Sequence, residues 1–129
     1  MAAQPHARRS LELRAEDTAP RTARAAVASW LSDISSATRD AIMLVVSELV
    51  TNAVTHARSS CRIRLSLNVA TLRIDVLDAG AGTPEPQPPS ETEEHGRGLY
   101  MVDAVTTAWG LEDVPGQGKL VWAELARPR

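Results

Sequence analysis

Two glycine-bearing stretches of the chain have the composition of a ligand-binding loop. The first, residues 78–82, reads D-A-G-A-G, and the second, residues 95–99, reads H-G-R-G-L. Glycine lets the backbone approach a ligand closely, and the free amide groups at a helix N-terminus bind anions. We therefore expect a nucleotide phosphate at these glycines, with the carboxylate of Asp78 accepting a hydrogen bond from a donor such as an exocyclic base amine.

The sequence around both stretches supports this interpretation. Apolar and polar residues alternate before Asp78, so the first stretch follows a strand, and apolar residues recur at helical spacing after Gly98, so the second opens a helix. Each stretch alone also suits an ordinary loop or a glycine N-cap. The two together favour a nucleotide site.

The segment between them, residues 83–95, is rich in proline and glutamate. This composition favours a solvated surface loop, and its place between the two glycine stretches predicts a lid that orders over bound ligand. Its carboxylates would repel phosphates unless Mg²⁺ intervenes. Arg97 is therefore the better candidate for a direct phosphate contact.

A third polar set, Glu48, Asn52 and His56, recurs every four residues and predicts a ridge along one side of a helix. Asparagine is unfavourable inside a helix because its side chain competes for backbone hydrogen bonds. The presence of Asn52 within the predicted helix therefore suggests a functional role. A glutamate and an asparagine one turn apart can bind Mg²⁺ and orient a hydroxyl for proton removal. The alternative is a solvated helix flank, and His56 suits the helix C-terminus equally well.

Hydrophobic periodicity predicts a sheet that is covered by helices on one face. Strands are expected at residues 10–14, 61–68, 71–78, 109–113 and 119–125, and helices at residues 20–31, at residues 37–56 and after residue 98. Thr18 or Asp17, followed by Pro20, is predicted to start the first helix, and the Ser35–Ser36 pair the second. The second helix is predicted to pack one apolar stripe on the sheet: Ile42, Val45, Val46, Leu49, Val50 and Ala53. Residues 61–78 and 109–125 each predict a hairpin, and Trp122 is expected on the outer face. Residues 1–9 lack periodicity and are predicted to be a mobile tail before a single domain at residues 10–129.

The composition narrows the class of protein. A chain of 129 residues can form one domain with a core, and aromatic residues make up only 3%, so that core must be aliphatic. The net charge of −2 gives no basic surface for nucleic acid. A single cysteine, Cys61, fits a reducing compartment, and no apolar run approaches the length of a membrane span, which together predict a cytoplasmic protein.

Taken in order, four motifs resemble those of the Bergerat-fold (GHKL) ATPase superfamily: E-L-V-T-N-A-V-T-H-A, D-A-G-A-G, H-G-R-G-L-Y-M-V-D and G-K-L-V-W-A-E-L. Within it, the chain is most similar to the small anti-sigma-factor serine kinases of bacteria, especially the single-domain versions of actinobacteria. The resemblance covers residues 10–126. It implies an α+β, two-layer sandwich in which a mixed, mostly antiparallel sheet of four or five strands carries helices on one face.

The resemblance also implies roles for the polar residues. Glu48 would be the general base, Asn52 a ligand of Mg²⁺, and Asp78 the acceptor for the adenine amine. The other implied ATP-binding residues belong to the glycine stretches: Gly80, Gly82, Gly96, Arg97, Gly98 and Leu99. Relatives usually have threonine where this chain has Leu120, which would remove a hydroxyl near the adenine and cost about 1 kcal/mol of binding.

The function implied by the resemblance is a regulatory switch. It would bind ATP with Mg²⁺, sequester a sigma factor, and phosphorylate a serine of a small anti-sigma-factor antagonist, and because relatives often dimerise it would be compatible with a homodimer. The alternative is a non-catalytic module in which the nucleotide gates partner affinity. The catalytic domain of a sensor histidine kinase is disfavoured, because no phosphoacceptor or dimerisation helix is attached.

Overall fold

One five-stranded sheet with helices packed against it forms the fold, as seen in a computed structural model that describes residues 7–31, 34–57, 59–79 and 101–127. The elements are, in chain order, β1 (Ala7–Leu13), α1 (Ala19–Trp30), α2 (Ser36–Asn52), a π-helical turn (Ala53–Ala57), β2 (Cys61–Leu67), β3 (Thr71–Asp78), the described part of α3 (residues 101–105), β4 (Ala108–Val114) and β5 (Gly118–Ala126). The predicted α+β class is confirmed. None of the described helices is long and apolar enough to cross a membrane.

The strands lie in the order β1-β2-β3-β5-β4, and every pairing between them is antiparallel. Both predicted hairpins, β2–β3 and β4–β5, are confirmed. The expected parallel pairing is absent from the described sheet. β3 and β4 run in the same direction, but β5 lies between them and pairs with both, so these two strands share no hydrogen bonds.

β1 begins at Ala7, so the assignment of residues 7–9 to a mobile tail was wrong. Ala7 pairs with Leu67, and Arg8 and Arg9 continue the ladder along β2. β1 is an edge strand on which both arginines are exposed to solvent. Charged residues are common on edge strands, and they hide the alternation that sequence patterns depend on.

The starts of α1 and α2 follow the capping residues that the sequence predicts. Thr18 is the N-cap of α1, and Pro20 lies in the first turn, where its missing amide hydrogen costs nothing. Ser35 is the N-cap of α2, and its Oγ accepts a hydrogen bond from the Thr38 amide at 3.3 Å. The predicted helix over residues 37–56 therefore begins at Ser36, but its last turn is π-helical.

Two arginines connect α1 to α2 and fix the position of the second helix. Arg39 Nη2 donates to the carbonyl of Leu31, just after the end of α1, at 2.8 Å. Arg24 Nη1 donates to Ser47 Oγ at 2.9 Å, near the middle of α2. Because both bonds are partly buried, they hold the two helices in one register on the sheet.

The core lies between α2 and the inner face of the sheet, and it is aliphatic as predicted. The predicted stripe of α2 is buried throughout: Ile42, Val45, Val46, Leu49, Val50 and Ala53. It packs with the inward side chains of β2, β3 and β5: Cys61, Ile63, Leu65, Leu72, Ile74, Val76, Val121, Ala123 and Leu125. The apolar faces that follow from helical and strand periodicity therefore form one buried layer between α2 and the sheet.

The outer face of the sheet is polar and carries Trp122, as predicted. The Arg73 guanidinium lies 4.6 Å from the centre of the Trp122 ring, and Gly110 on β4 leaves room for the indole, because a Cβ there would lie 2.8 Å from it. Asp75 is buried beside them and accepts from Arg73 Nε at 2.9 Å. Trp122 is therefore half-covered by its own neighbours.

The β4–β5 turn contains two glycines with positive φ, Gly116 at 77° and Gly118 at 125°. A Cβ on Gly116 would meet nothing within 4 Å, whereas a Cβ on Gly118 would lie 1.8 Å from the carbonyl oxygen of Asp78. Gly118 therefore lets the start of β5 come against the end of β3. A substitution of Gly116 would therefore introduce backbone strain alone, whereas one of Gly118 would add a steric clash with Asp78.

We expect Gly118→Ala to destabilise the protein much more than Gly116→Ala. The Gly116 variant should lose about 1 kcal/mol of unfolding free energy from its left-handed backbone. The Gly118 variant should lose about 3 kcal/mol or more, because the methyl group also collides with a strand. Urea denaturation of both variants measures the difference. Equal losses would show that the close approach to Asp78 does not constrain the fold.

Cys61, the first residue of β2, is buried and pairs with Asp78 across the β2–β3 ladder. Burial, followed by the negative charges of Asp78 and Glu12, raises the pKa of the Cys61 thiol from 9.0 to about 11. The thiol is therefore neutral and unreactive near neutral pH, which agrees with an inert structural cysteine.

This pKa shift predicts a loss of stability at alkaline pH. In the unfolded protein the thiol releases its proton near pH 9.0, whereas in the folded protein it does so only at about pH 11. The unfolding free energy should therefore fall across this interval. The slope should approach about 1.4 kcal/mol per pH unit. Cys61→Ala should lack this component in urea denaturation over the same pH range. A parallel decline in both proteins would assign the loss to other groups.

Candidate active site

The inner face of the sheet ends in a polar row. Beyond the apolar rows of the core, the aligned residues of β2, β3, β5 and β4 are Cys61, Asp78, Lys119 and Asp113. Asp78 is the last residue of β3 and is only 6% exposed. The structure therefore places the carboxylate predicted to bind a base amine at the border between the core and the strand end.

The backbone of Asp78 is held by the start of β5. Gly118 approaches its carbonyl so closely that only glycine fits at this position, and Lys119 is its partner in the β3–β5 ladder. Asp78 and Lys119 each make further polar or electrostatic interactions. A carboxylate with a constrained backbone on a strand is well suited to present its oxygens in a fixed direction.

Lys119 is a member of this row that sequence reasoning missed. Its side chain is only 13% exposed, and Nζ lies 3.6 Å from Asp113 Oδ1. The signal was available in the alternation of β5, because Lys119 has the same parity as the buried residues Val121 and Ala123. A lysine at an inward position indicates a polar region at that end of the core.

Leu120 lies on the opposite face of the sheet. It pairs with Leu77 on β3 and with Glu112 on β4, in the row next to the one that contains Trp122. The expectation that Leu120 removes a hydroxyl from the adenine side was therefore wrong. Because strand side chains alternate between faces, the neighbour of an inward lysine must point outward.

Asn52, the last α-helical residue of α2, is 5% exposed. Its side-chain oxygen, Oδ1, is buried and has no hydrogen-bond partner in the part of the chain that the structure describes. An unsatisfied buried amide oxygen costs free energy and needs an explanation. The sequence-based suspicion that Asn52 has a function is thus matched by a buried polar atom that has no hydrogen-bond partner among the described residues.

The π-helical turn starts immediately after Asn52. The amide of Ala53 is shared between the carbonyls of Leu49 and Val50, as is common at the end of an α-helix. π-helical turns are rare in proteins, and those that occur often lie at functional sites. The turn packs against β3, the strand that ends at Asp78. It therefore brings the end of α2 to the strand of the predicted base-binding residue.

Glu48 lies one helical turn before Asn52 and is half-buried, with an interaction of its own. Residues four apart on a helix have Cβ atoms about 5–6 Å apart, so the carboxylate and the amide share one side of α2. The side chain of His56, the third residue of the predicted ridge, lies outside the described residues.

The available oxygens fit a magnesium ion that is bound together with phosphates. The Asn52 Oδ1 atom is a hard oxygen ligand that has no hydrogen-bond partner in the described part of the chain, and Mg²⁺ binds oxygen ligands of this type in proteins. The described residues contain no group of three or more acidic, histidine or cysteine side chains that could hold a metal ion. Magnesium usually binds through one or two protein ligands, substrate phosphates and water, so a complete protein cage is not required.

The predicted lid at residues 83–95 and the other predicted nucleotide-binding residues lie outside the described residues: Gly80, Gly82, Gly96, Arg97, Gly98 and Leu99. The helix predicted after them is confirmed by residues 101–105. Val102 anchors this helix in the core, and Trp109 Nε1 on β4 donates to Asp103 Oδ1 at 2.7 Å. The helix that follows the second glycine stretch is therefore fixed to the sheet.

Comparison with known proteins agrees with this arrangement. The family described as the histidine kinase-like ATPase domain matches residues 13–124. Among solved structures, the fold is similar to the crystal structure of the RsbU and RsbW domains of Rv1364c from Mycobacterium tuberculosis, with a TM-score of 0.73 and 23% sequence identity over 96% of this chain. The chain spans 34% of that protein's chain, and no curated protein sequence matches it.

The family match covers every described candidate residue, Glu48, Asn52 and Asp78. It confirms the superfamily that the four sequence motifs indicate, and the solved structure independently supports the fold. On this basis the chain belongs to the histidine kinase-like ATPase domain family.

Proposed function

We propose that this protein binds ATP with Mg²⁺ and transfers the terminal phosphoryl group to a serine of a partner protein. The observation that carries the proposal is the buried amide oxygen of Asn52, which lacks a hydrogen bond among the described residues. In a member of an ATPase family, this atom is well placed to serve a ligand that arrives with the nucleotide. Its desolvation cost would then be offset on binding.

At the base end of the proposed site, which is the end that binds adenine, the carboxylate of Asp78 accepts a hydrogen bond from the 6-amino group of the base. Its low exposure and the close contact of its backbone with Gly118 support this role, because a buried acceptor in a fixed position discriminates strongly between donors and acceptors. Guanine carries a carbonyl oxygen at the same ring position, which a carboxylate would repel.

At the phosphate end, Asn52 Oδ1 is the described atom best suited to hold Mg²⁺, which would neutralise the charge of the transferring group. Glu48, one turn earlier, removes the proton from the hydroxyl of the acceptor serine. The serine oxygen forms a bond to the γ-phosphorus, the bond from that phosphorus to ADP breaks, and the hydroxyl proton remains on Glu48. The helix holds both residues on one side, so the two roles are adjacent.

We propose an anti-sigma factor as the biological setting. The sequence resembles the small anti-sigma-factor serine kinases, and the fold is shared with a solved structure that contains an RsbW domain. The partners would be a sigma factor, which the protein sequesters, and a small antagonist protein, which it phosphorylates. The domain at residues 10–129, its lid and its cytoplasmic location are parts of the same proposal.

The first test concerns the base. Wild-type protein should bind ATP with Mg²⁺ and bind GTP at least tenfold more weakly, because Asp78 is an acceptor that suits an amine and repels a carbonyl oxygen. Asp78→Asn should weaken ATP binding by about tenfold or more, since an amide presents a donor as well as an acceptor. Isothermal titration calorimetry measures both. Equal affinities for the two nucleotides, or an unchanged variant, would remove the base-binding role.

The second test separates chemistry from binding. Glu48→Ala should reduce phosphate transfer to a partner serine by about 10² to 10⁴ while leaving ATP affinity largely intact, because a general base acts in the transition state. Asn52→Ala should weaken binding of ATP with Mg²⁺ as well. It should retain the melting temperature of the nucleotide-free protein, because the oxygen it removes makes no hydrogen bond to the described residues.

The measurements are calorimetry, thermal unfolding and transfer of labelled phosphate to the small antagonist proteins of the native host. Asp40→Ala serves as a control on the same helix, because Asp40 is exposed in the first half of α2 and does not belong to the proposed site. A wild-type protein that is inert toward every antagonist, yet binds a partner in an ATP-dependent manner, would overturn the kinase proposal and leave the non-catalytic gating module.

A further inference from the structure

We propose that Lys119 is a specificity-determining residue at the base end of the site. Its ammonium group donates a hydrogen bond to one of the two ring nitrogens, N1 or N7, that flank the 6-amino group of adenine. This inference rests on the proposed ATP binding and deepens it, because it assigns a second contact to the base. The described residues would then read adenine by an acceptor and a donor side by side.

The register of the sheet puts this donor beside the predicted acceptor. Lys119 is the direct partner of Asp78 in the β3–β5 ladder, and both belong to the row that closes the inner face. Directly opposed residues in an antiparallel pair have Cβ atoms about 4.5–5.5 Å apart and point to the same face. A ligand group that contacts the carboxylate is therefore within reach of the ammonium.

The ion pair with Asp113 is one of the interactions of Lys119, and it does not by itself account for the burial of the side chain. The lysine side chain is 13% exposed, whereas that of Asp113 is 82% exposed, and their closest atoms are 3.6 Å apart. Ion pairs with a solvated partner contribute little, and lysines rarely leave water without a compensating contact. Contacts at the inner face, where Asp78 lies, therefore account better for the inward position.

The pair of charges matches the edge of adenine. The 6-amino group donates, and the ring nitrogens on either side of it accept, so an adjacent carboxylate and ammonium can bind at the same time. At the corresponding edge of guanine, the amine is replaced by a carbonyl oxygen and N1 carries a hydrogen. The carboxylate would then face an acceptor, and a lysine contact to N1 would lose its acceptor, whereas a contact to N7 would be kept. Lys119 therefore adds to the discrimination against guanine through the N1 contact.

The experiment compares ATP with 1-deaza-ATP and 7-deaza-ATP by calorimetry in the presence of Mg²⁺. Each analogue lacks one of the two candidate acceptors. Wild-type protein should bind one of them about tenfold more weakly than ATP. Lys119→Met, which keeps the length of the side chain but not the donor, should bind ATP about tenfold more weakly and bind that analogue as well as ATP. Lys119→Arg should retain the preference.

Leu120→Thr is the matched control, because the adjacent residue lies on the outer face and should leave all three affinities unchanged. Wild-type binding of both analogues as tightly as ATP, or the same preference in Lys119→Met, would overturn the inference. The wild-type comparison stands even where a variant fails to fold. Absence of ATP binding by wild-type protein would instead overturn the proposed function, so the two failures are distinguishable.

Discussion

The aliphatic contact between α2 and the inner face of the sheet holds every described candidate residue in place. The buried stripe of α2 runs to its end, where Asn52 follows Leu49 and Val50, and the buried row of β3 ends at Asp78. Close-packed interiors resist displacement, so polar side chains at their border are held as firmly as the core itself. Among the described residues, the fully buried layer contains no aromatic side chain, and the small side chain of Ala53 lets the end of α2 lie close to β3.

Polar groups at the border of such a core are costly, and several costs coincide here. The oxygen of Asn52 is buried without a partner among the described residues, and Asp78 lies close enough to Cys61 to raise its pKa. Gly118 adopts a backbone conformation that other residues rarely take. The unsatisfied oxygen lowers stability, and natural sequences retain such groups mainly where function requires them. Their position along one border of the sheet is therefore an argument for a ligand site.

The sequence predicted which faces of the helices and strands are buried better than it predicted the positions of individual polar residues. The alternation of β2 and β3 and the stripe of α2 gave their faces correctly, because burial on one side imposes a period. The edge strand β1 was placed too late, since Arg8 and Arg9 face solvent and carry no period. Lys119 was overlooked and Leu120 was expected near the adenine, because a motif was interpreted without considering which residues of its strand point inward. Hydrogen-bond satisfaction requires coordinates; among the described residues it identifies two buried amide oxygens without a partner, those of Asn52 and Asn68.

The alternation of side chains along β5 also places residues of this one strand in two different environments. Along β5, the odd-numbered residues enter the core and end at the polar row with Lys119, whereas the even-numbered residues face outward. On the outer face, Arg73 covers Trp122 and pairs with Asp75, so the charges of that surface are largely balanced within the sheet. A nucleotide bound at the inner border would therefore be recognised by a face that is electrostatically separate from the outer one. Adjacent substitutions in β5 should then act on different properties of the protein, since the sheet itself lies between them.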